Sequence, residues 1–124
     1  MIMMTKSGQP RKQRKFRALA PMHLRRKFLH VHISKELRAK LGIICRSTLV
    51  RKGDKVRLRS GDKKKHTGAV TRVDCSRCRI YVEGVVSKTA KGVEKPRAVS
   101  PSSVEIIDGD FAKGKRANLR KKQA

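Results

Sequence analysis

Positive charge dominates this sequence and is concentrated at its two ends. Residues 1–35 carry ten Lys or Arg and no acid, residues 111–124 carry six and no acid, and all nine acids lie between them. A net charge of +25 on 124 residues repels itself, and binding to a polyanion relieves that repulsion. Blocks of like charge with few apolar residues do not offset the entropy lost on ordering. The sequence therefore predicts a globular middle flanked by basic segments that pair with an anionic partner.

Length and composition exclude several classes of protein. One domain is expected for 124 residues, and with 3% aromatic residues and no Trp there is little material for an enzyme core or a small-molecule pocket. The longest aliphatic run, Ile43-Ile44-Cys45, is far shorter than the roughly 20 residues of a membrane span. The N-terminal apolar stretch is too short for a secretory signal, and although the Arg-rich start resembles a mitochondrial transit peptide, we expect a cytoplasmic protein. Three Cys, an odd number, fit a reducing compartment.

The first third of the chain predicts a basic arm with two short helices. Residues 6–17 are polar, and Gly8 and Pro10 oppose a helix there, so this stretch is expected to be irregular. Apolar residues then recur at helical spacing between 22 and 29, with a basic opposite face. Ser34 is a good N-cap for a second helix over residues 35–41, which Gly42 ends.

From about residue 49 the pattern is typical of strands. Alternating or β-branched segments are separated by turn signals every eight to ten residues, which favours a small antiparallel barrel of five strands. The predicted core consists of Val50, Val56, Leu58, Val70, Val73, Ile80, Val82, Val99, Val104 and Ile106. We therefore divide the chain into an arm over 1–47, a barrel over 48–110 and a basic tail over 111–124.

Motifs of catalysis and of metal binding are weak or missing in the sequence. The acids are scattered, and there is no phosphate-cradling Gly loop, so we expect neither an enzyme nor a cofactor. Cys75-Ser76-Arg77-Cys78 has the spacing of half a zinc site. A second pair of ligands with suitable spacing does not follow, and the segment falls where the barrel needs a turn. We interpret it as a plain turn, with a zinc site or a redox pair as the alternatives.

Part of the predicted barrel resembles a KOW motif, a strand–loop–strand unit of SH3-like barrels that bind RNA. The motif spans about residues 50–77 and is carried by Val50-Arg51-Lys52-Gly53-Asp54-Lys55-Val56-Arg57-Leu58, Ser60-Gly61-Asp62-Lys63-Lys64, Gly68-Ala69-Val70 and Val73.

Together with segments outside the motif, the sequence resembles one family of large-subunit ribosomal proteins, numbered twenty-four in the universal naming and twenty-six in the eukaryotic naming. The further segments are Ala20-Pro21-Met22-His23-Leu24-Arg25-Arg26-Lys27, Ser34-Lys35-Glu36-Leu37-Arg38, Ile80-Tyr81-Val82-Glu83-Gly84-Val85 and Ser100-Pro101-Ser102-Ser103-Val104. The upstream arm and the C-terminal tail are similar to those of the archaeal/eukaryotic branch of this family, and within that branch the resemblance is to archaeal members.

The resemblance implies a function and one point of difference. It implies a structural protein that binds the 5′ region of large-subunit ribosomal RNA, acts early in subunit assembly and lies near the peptide exit tunnel, beside other large-subunit proteins. It implies no membrane and no small-molecule substrate as partner. The family usually has Gly where this chain has Lys65, and Gly there would allow a positive φ.

Cationic side chains on the arm, the barrel loops and the tail are the candidate RNA contacts, because each neutralises a phosphate and releases counterions. The predicted set is Arg11, Lys12, Arg14, Lys15, Arg17, Arg25, Arg26, Lys27, Arg38, Arg46, Lys52, Arg57, Arg59, Lys63, Lys64, Lys65, His66, Arg72, Arg77, Lys113, Lys115 and Arg116. Four aromatic residues are too few for a base-stacking platform.

Each of these predictions has an alternative. The lysines at 63–65 can instead be solvated loop residues that contact no RNA. Arg57 and Arg59 can serve only to keep a strand edge soluble. Phe16 can pack on the barrel or insert between bases. For the whole chain, the alternatives are a KOW-type transcription-elongation factor module and a DNA-coating protein.

Overall fold

The computed structural model describes residues 5–117 and 119, so that parts of the predicted arm (1–4) and tail (118 and 120–124) lie outside the described residues. The chain is mainly β, as predicted. Three α-helices are α1 Pro10–Leu19, α2 Met22–Arg25 and α3 Lys35–Leu41, and 3-10 turns cover Arg26–Leu29, Pro101–Ser103 and Gly114–Arg116. The described residues form seven strands: β1 His30–Ile33, β2 Ser47–Leu49, β3 Lys55–Leu58, β4 Thr67–Asp74, β5 Arg79–Lys88, β6 Glu94–Val99 and β7 Val104–Asp108.

The strands form one sheet in the order β2-β1-β7-β3-β4-β5-β6, consistent with a small barrel. All pairings are antiparallel except that of β1 with β7, which is parallel. Register shifts interrupt the β4–β5 pair between Val70 and Arg72 and the β5–β6 pair between Tyr81 and Val86. Such bulges bend the strands and turn the corners that a small barrel requires.

The sheet has two strands more than the five predicted, and the additional pairing reaches into the segment assigned to the arm. β1 alternates exposed and buried residues, with Val31 fully buried and Ile33 4% exposed. Its parallel partner β7 lies more than 70 positions later, and the amide of Ser34 also donates to the carbonyl of Ile106 at 2.9 Å. The arm is therefore fastened to the barrel by backbone pairing from residue 30 onward.

The helices of the arm follow the predicted signals in part. The hydroxyl of Ser34 accepts from the amide of Leu37 at 3.2 Å, and Gly42 ends α3 in the left-handed region with φ +61°, both as predicted. The prediction that residues 6–17 are irregular is wrong from Pro10 onward, because α1 begins there. Proline at the first helical position has no amide to lose and a φ suited to the helix.

One aliphatic core unites the strands and α3. All ten predicted core residues take part; nine are buried, and Val73 is half-buried against the cluster. The structure adds residues from the arm and from the bulged part of β5, namely Leu29, Val31, Ile33, Leu37, Ile43 and Val85. The core is built from Val, Ile and Leu, so the barrel holds its shape through many small aliphatic contacts.

Edge strand β6 has features that discourage pairing with another strand. Its residues from Glu94 to Ala98 are exposed, and Pro96, which lacks an amide donor, lies opposite Val86. Lys95 and Arg97 flank this proline. Proline and charge are typical of protected edges.

The loop between β3 and β4 is closed by two backbone bonds at Leu58, whose carbonyl accepts from Lys65 at 2.8 Å and whose amide donates to His66 at 2.9 Å. This closure places Lys65 in the left-handed region, with φ 69°. Lys65 occupies the position at which the resemblance implies Gly, so a residue with a Cβ adopts here a left-handed conformation that costs backbone strain.

In the part of the chain that the structure describes, none of the helices has both the length and the apolar character needed to cross a membrane.

Replacing Lys65 with Gly is expected to stabilise the fold. Relief of the left-handed strain outweighs the greater entropy of Gly in the unfolded chain, for a net gain of about 1 kcal/mol in the free energy of unfolding. Urea denaturation measures this gain. The control Lys64→Gly removes the same charge at a residue without positive φ and should lower stability; equal effects of the two substitutions would contradict the strain at Lys65.

Candidate nucleic-acid interface

Helix α1 is a cationic rod. Arg11, Lys12, Arg14, Lys15 and Arg17 are exposed, α1 buries no residue, and the helix contains no acid. Cations three and four residues apart repel each other, and those in the first turn also oppose the helix dipole. A ten-residue helix is marginal by itself, so α1 is the element that gains most from an anionic partner.

Two arginines of the arm bind the protein itself. The Cζ of Arg17 lies 4.7 Å from the centroid of Phe28, a cation–π contact that attaches the end of α1 to the 3-10 turn Arg26–Leu29. Arg25 donates to the carbonyls of Ala18, of Ala20 at 2.8 Å, and of Ser76 at 3.3 Å. Arg25 therefore holds the helix connection and the β4–β5 turn together, and its guanidinium is largely occupied.

The β3–β4 loop presents its basic residues unequally. Lys63 Nζ donates to the carbonyl of Gly84 at 2.8 Å, and His66 Nε2 donates to that of Glu83 at 2.8 Å. Gly84 has φ +76°, and its missing Cβ leaves the space in which the His66 ring lies. Lys63 and His66 thus fix the loop to β5, whereas Lys64 and Lys65 are exposed. The last two are the better candidates for phosphate contact.

The strand arginines face outward, as predicted, and are held by neighbours. Arg57 forms an ion pair with Glu105 of the adjacent β7, with Nε 2.5 Å from Oε1, and Arg59 Nε lies 3.9 Å from Oε2 of the same residue. The Cζ of Arg72 lies 5.8 Å from the centroid of Tyr81. Glu105 neutralises part of this charge and limits the motion of both side chains.

Most of the other predicted residues are exposed. Arg38 is half-buried, and its buried Nε has no hydrogen-bond partner in the described part of the chain. The exposed residues are Arg26, Lys27, Arg46, Lys52, Arg77, Lys113 and Lys115.

Arg116, one of the predicted RNA contacts, is buried by the protein and paired with a carboxylate. Arg116 is 3% exposed, and its guanidinium nitrogens Nη1 and Nη2 lie 2.8 and 2.5 Å from the two carboxylate oxygens of Asp54. It also donates to the carbonyl of Leu49 from Nε at 3.2 Å and from Nη2 at 2.6 Å. The Phe111 ring lies 5.1 Å from its Cζ. Arg116 fastens the C-terminal segment to the barrel.

The buried pair also brings together basic residues that the sequence analysis left out. Arg51 Nη1 donates to the carbonyl of Lys113 at 3.4 Å, and Arg51 shares a groove with His23 and His30. Partial desolvation, followed by the positive charge of Lys27, lowers the pKa of His30 from its ordinary value of 6.5. The partners are up to 62 positions apart, and no local pattern marks such a pairing.

The Cys-x-x-Cys segment forms the turn between β4 and β5, as predicted. Asp74 Oδ1 accepts from the amides of Ser76 and Arg77 at 2.9 and 3.2 Å, and Cys78 adopts φ 52°. Both cysteines are half-buried thiols. Within residues 5–117 and 119, three or more His, Cys, Asp or Glu side chains do not cluster at a metal-binding distance. That the protein binds RNA without a metal ion stays a prediction.

Fold and charge together define a small basic β protein, with a KOW-type loop and with cationic segments before and after the barrel in the sequence. The model for a family described as "Ribosomal proteins L26 eukaryotic, L24P archaeal" matches residues 7–122. The large ribosomal subunit protein uL24 of Methanothrix thermoacetophila is 43% identical over 113 residues, covering 91% of this chain and 96% of the relative. The chain therefore belongs to this ribosomal protein family, which is not an enzyme family, and its role is structural, in the large subunit.

Removing the Arg116 side chain is expected to destabilise the protein strongly. Arg116→Met leaves the carboxylate of Asp54, whose side chain is 4% exposed, buried without its partner, which costs about 3–5 kcal/mol of unfolding free energy. Urea denaturation at neutral pH measures the loss. Lys115→Met, one residue earlier and exposed, removes the same charge and should change stability by less than about 0.5 kcal/mol. Equal losses would show that total charge, rather than the pair, controls stability.

The lowered pKa of His30 predicts an acid-sensitive contribution to stability. Because the folded pKa lies below the unfolded value of 6.5, protons bind the unfolded chain more readily, and stability decreases as pH falls through and below 6.5. His30→Gln removes this contribution, so its stability should fall less than that of the wild type between pH 7 and pH 5. Thermal denaturation at matched ionic strength measures the difference; parallel curves would contradict the prediction.

Proposed function

We propose that the protein binds the 5′ region of large-subunit ribosomal RNA and supports early assembly of the subunit, near the peptide exit tunnel and beside other ribosomal proteins. The proposal includes a ribosome-bound, cytoplasmic location. It rests on the family membership together with one structural observation: α1, the β3–β4 loop and the C-terminal segment all present exposed cations, and the chain has only nine acids to offset them.

The arm and the barrel have different tasks in this proposal. The barrel holds its loop cations rigidly, because Lys63 and His66 are hydrogen-bonded to β5. We therefore assign selection of the RNA site to the barrel. Helix α1 buries no residue, and phosphates on several sides would cancel its self-repulsion and consolidate the helix. Most of the electrostatic gain on binding therefore comes from the arm.

Binding to an RNA fragment containing the 5′ region, compared with duplex DNA of equal length, tests the proposal directly. A ribosomal RNA binder should prefer the structured RNA, whereas equal affinity for both would support the DNA-coating alternative. In cell extracts the protein should sediment with the large subunit after a high-salt wash. Co-purification with RNA polymerase instead would support the transcription-elongation module.

The exposed loop lysines give a sharper test of the contact surface. Lys64→Ala combined with Lys65→Ala should weaken RNA binding and reduce the slope of log affinity against log salt by up to about 0.7–0.9 for each lost phosphate contact. Fluorescence anisotropy over a salt series measures the slope.

The matched control is Lys88→Ala with Lys91→Ala on the β5–β6 hairpin, which removes the same charge; Lys88 lies 3.7 Å from Glu94. The control should change the slope less than the loop variant. Identical slopes for the two variants would show that the loss of overall charge, rather than the loss of a phosphate contact in the loop, changes the salt dependence.

A further inference from the structure

A groove between the arm, strand β2 and the C-terminal segment brings the two ends of the chain together. It has a volume of about 650 Å³ and is lined on one side by residues of the 22–30 segment and on the other by residues 114–116 and 119. That volume lies within the range of about 300–1,000 Å³ typical of small-ligand sites. We call it the arm–tail groove.

The rim of the arm–tail groove is cationic. Arg26, Lys27, Arg51 and Lys115 supply the positive charge, His23 and His30 lie beside them, and the described lining contains no acid. Because the sequence has no acid in residues 1–35 or after Asp110, the flanking segments do not supply one. A field of this sign attracts phosphate.

The lining of the groove is chemically mixed. Leu49 and Leu119 contribute apolar side chains, and Ser47 and Thr48 contribute hydroxyl groups. Arg116 also lines the groove, but its charge is already matched by Asp54, with which it forms two hydrogen bonds. The result is an apolar, hydrogen-bonding interior under a rim of positive charge.

We propose that the arm–tail groove receives one extruded nucleotide of an RNA strand, with the base against Leu49 and Leu119 and the flanking phosphates on the rim. This inference rests on the proposed RNA-binding function and assigns it a distinct subsite. A nucleotide is the unit of RNA that pairs an apolar face with an adjacent anion. The described lining holds no aromatic residue, so the site reads an unpaired, extruded geometry with little discrimination among bases.

A pair of RNA hairpins tests the groove separately from RNA binding in general. One hairpin has a continuous stem, and the other has the same stem with a single unpaired nucleotide. The full-length protein should bind the bulged hairpin about tenfold more tightly, the gain of one additional apolar and ionic contact. Equal affinity for the two hairpins would overturn the groove proposal while leaving RNA binding intact. Failure to bind either hairpin would overturn the groove proposal, while the fragment containing the 5′ region tests the proposed function separately.

Substitutions on the rim test whether the preference for the bulged hairpin over the continuous hairpin arises in the arm–tail groove. Arg51→Gln with Lys115→Gln should bring the ratio of the two affinities close to one, whereas the control Lys88→Gln with Lys91→Gln should keep it near that of the wild type. A ratio that changes equally in both variants would contradict the assignment to the groove.

Crosslinking of the unaltered protein makes the test independent of whether a variant folds. A 4-thiouridine at the bulge should crosslink to peptides containing residues 47–51 or 114–119, and crosslinks confined to the β3–β4 loop would overturn the proposal. Millimolar adenosine monophosphate should not displace the bulged hairpin, because the flanking strand is held by cations outside the groove. Displacement would assign the groove to free nucleotides instead.

Discussion

The buried carboxylate of Asp54 holds together parts of the chain that charge would otherwise drive apart. Its side chain accepts from the amide of Arg51 at 2.7 Å and pairs with the guanidinium of Arg116, while its backbone carbonyl accepts from Val70 at 2.9 Å. The turn before β3, strand β4 and the C-terminal segment therefore meet at one residue. With 34 basic residues and nine acids, placing an acid in the interior uses scarce negative charge where the dielectric screening is weakest. The position of the C-terminal segment, and the groove beside it, depend on this pair.

Local sequence patterns predicted those parts of the fold that depend on local physics. Alternation identified the inward-facing Val56 and Leu58 and left Arg57 and Arg59 outside, since neighbouring side chains of a strand point to opposite faces. Ser34 and Gly42 likewise marked the start and end of α3, because a side-chain cap and a left-handed glycine act within one helical turn. The prediction failed at Pro10 because proline opposes a helix at interior positions, whereas at the first position of a helix it is favourable.

Long-range pairings account for most of what the sequence analysis missed. A parallel partner for β1 cannot be read from four residues, because its hydrogen bonds are made with a strand near the other end of the chain. Likewise, the sequence around Arg116 indicates only a cation in a basic tail. The fold pairs this side chain with a buried carboxylate 62 positions away. Basic composition predicts that a surface is cationic, whereas the tertiary structure decides which cations are exposed and which are bonded to the protein.

The proline-bearing edge strand has a consequence for the life of the protein before it joins its subunit. A newly made ribosomal protein carries unbalanced charge and waits for its site in a crowded cell, where an open strand edge invites pairing with other nascent chains. On β6, Pro96 removes an amide donor, and Lys95 and Arg97 repel a second copy of the same strand. At the other end of the sheet, β2 is only three residues long. The fold thus carries its own protection against self-association during the interval before the protein joins the large subunit.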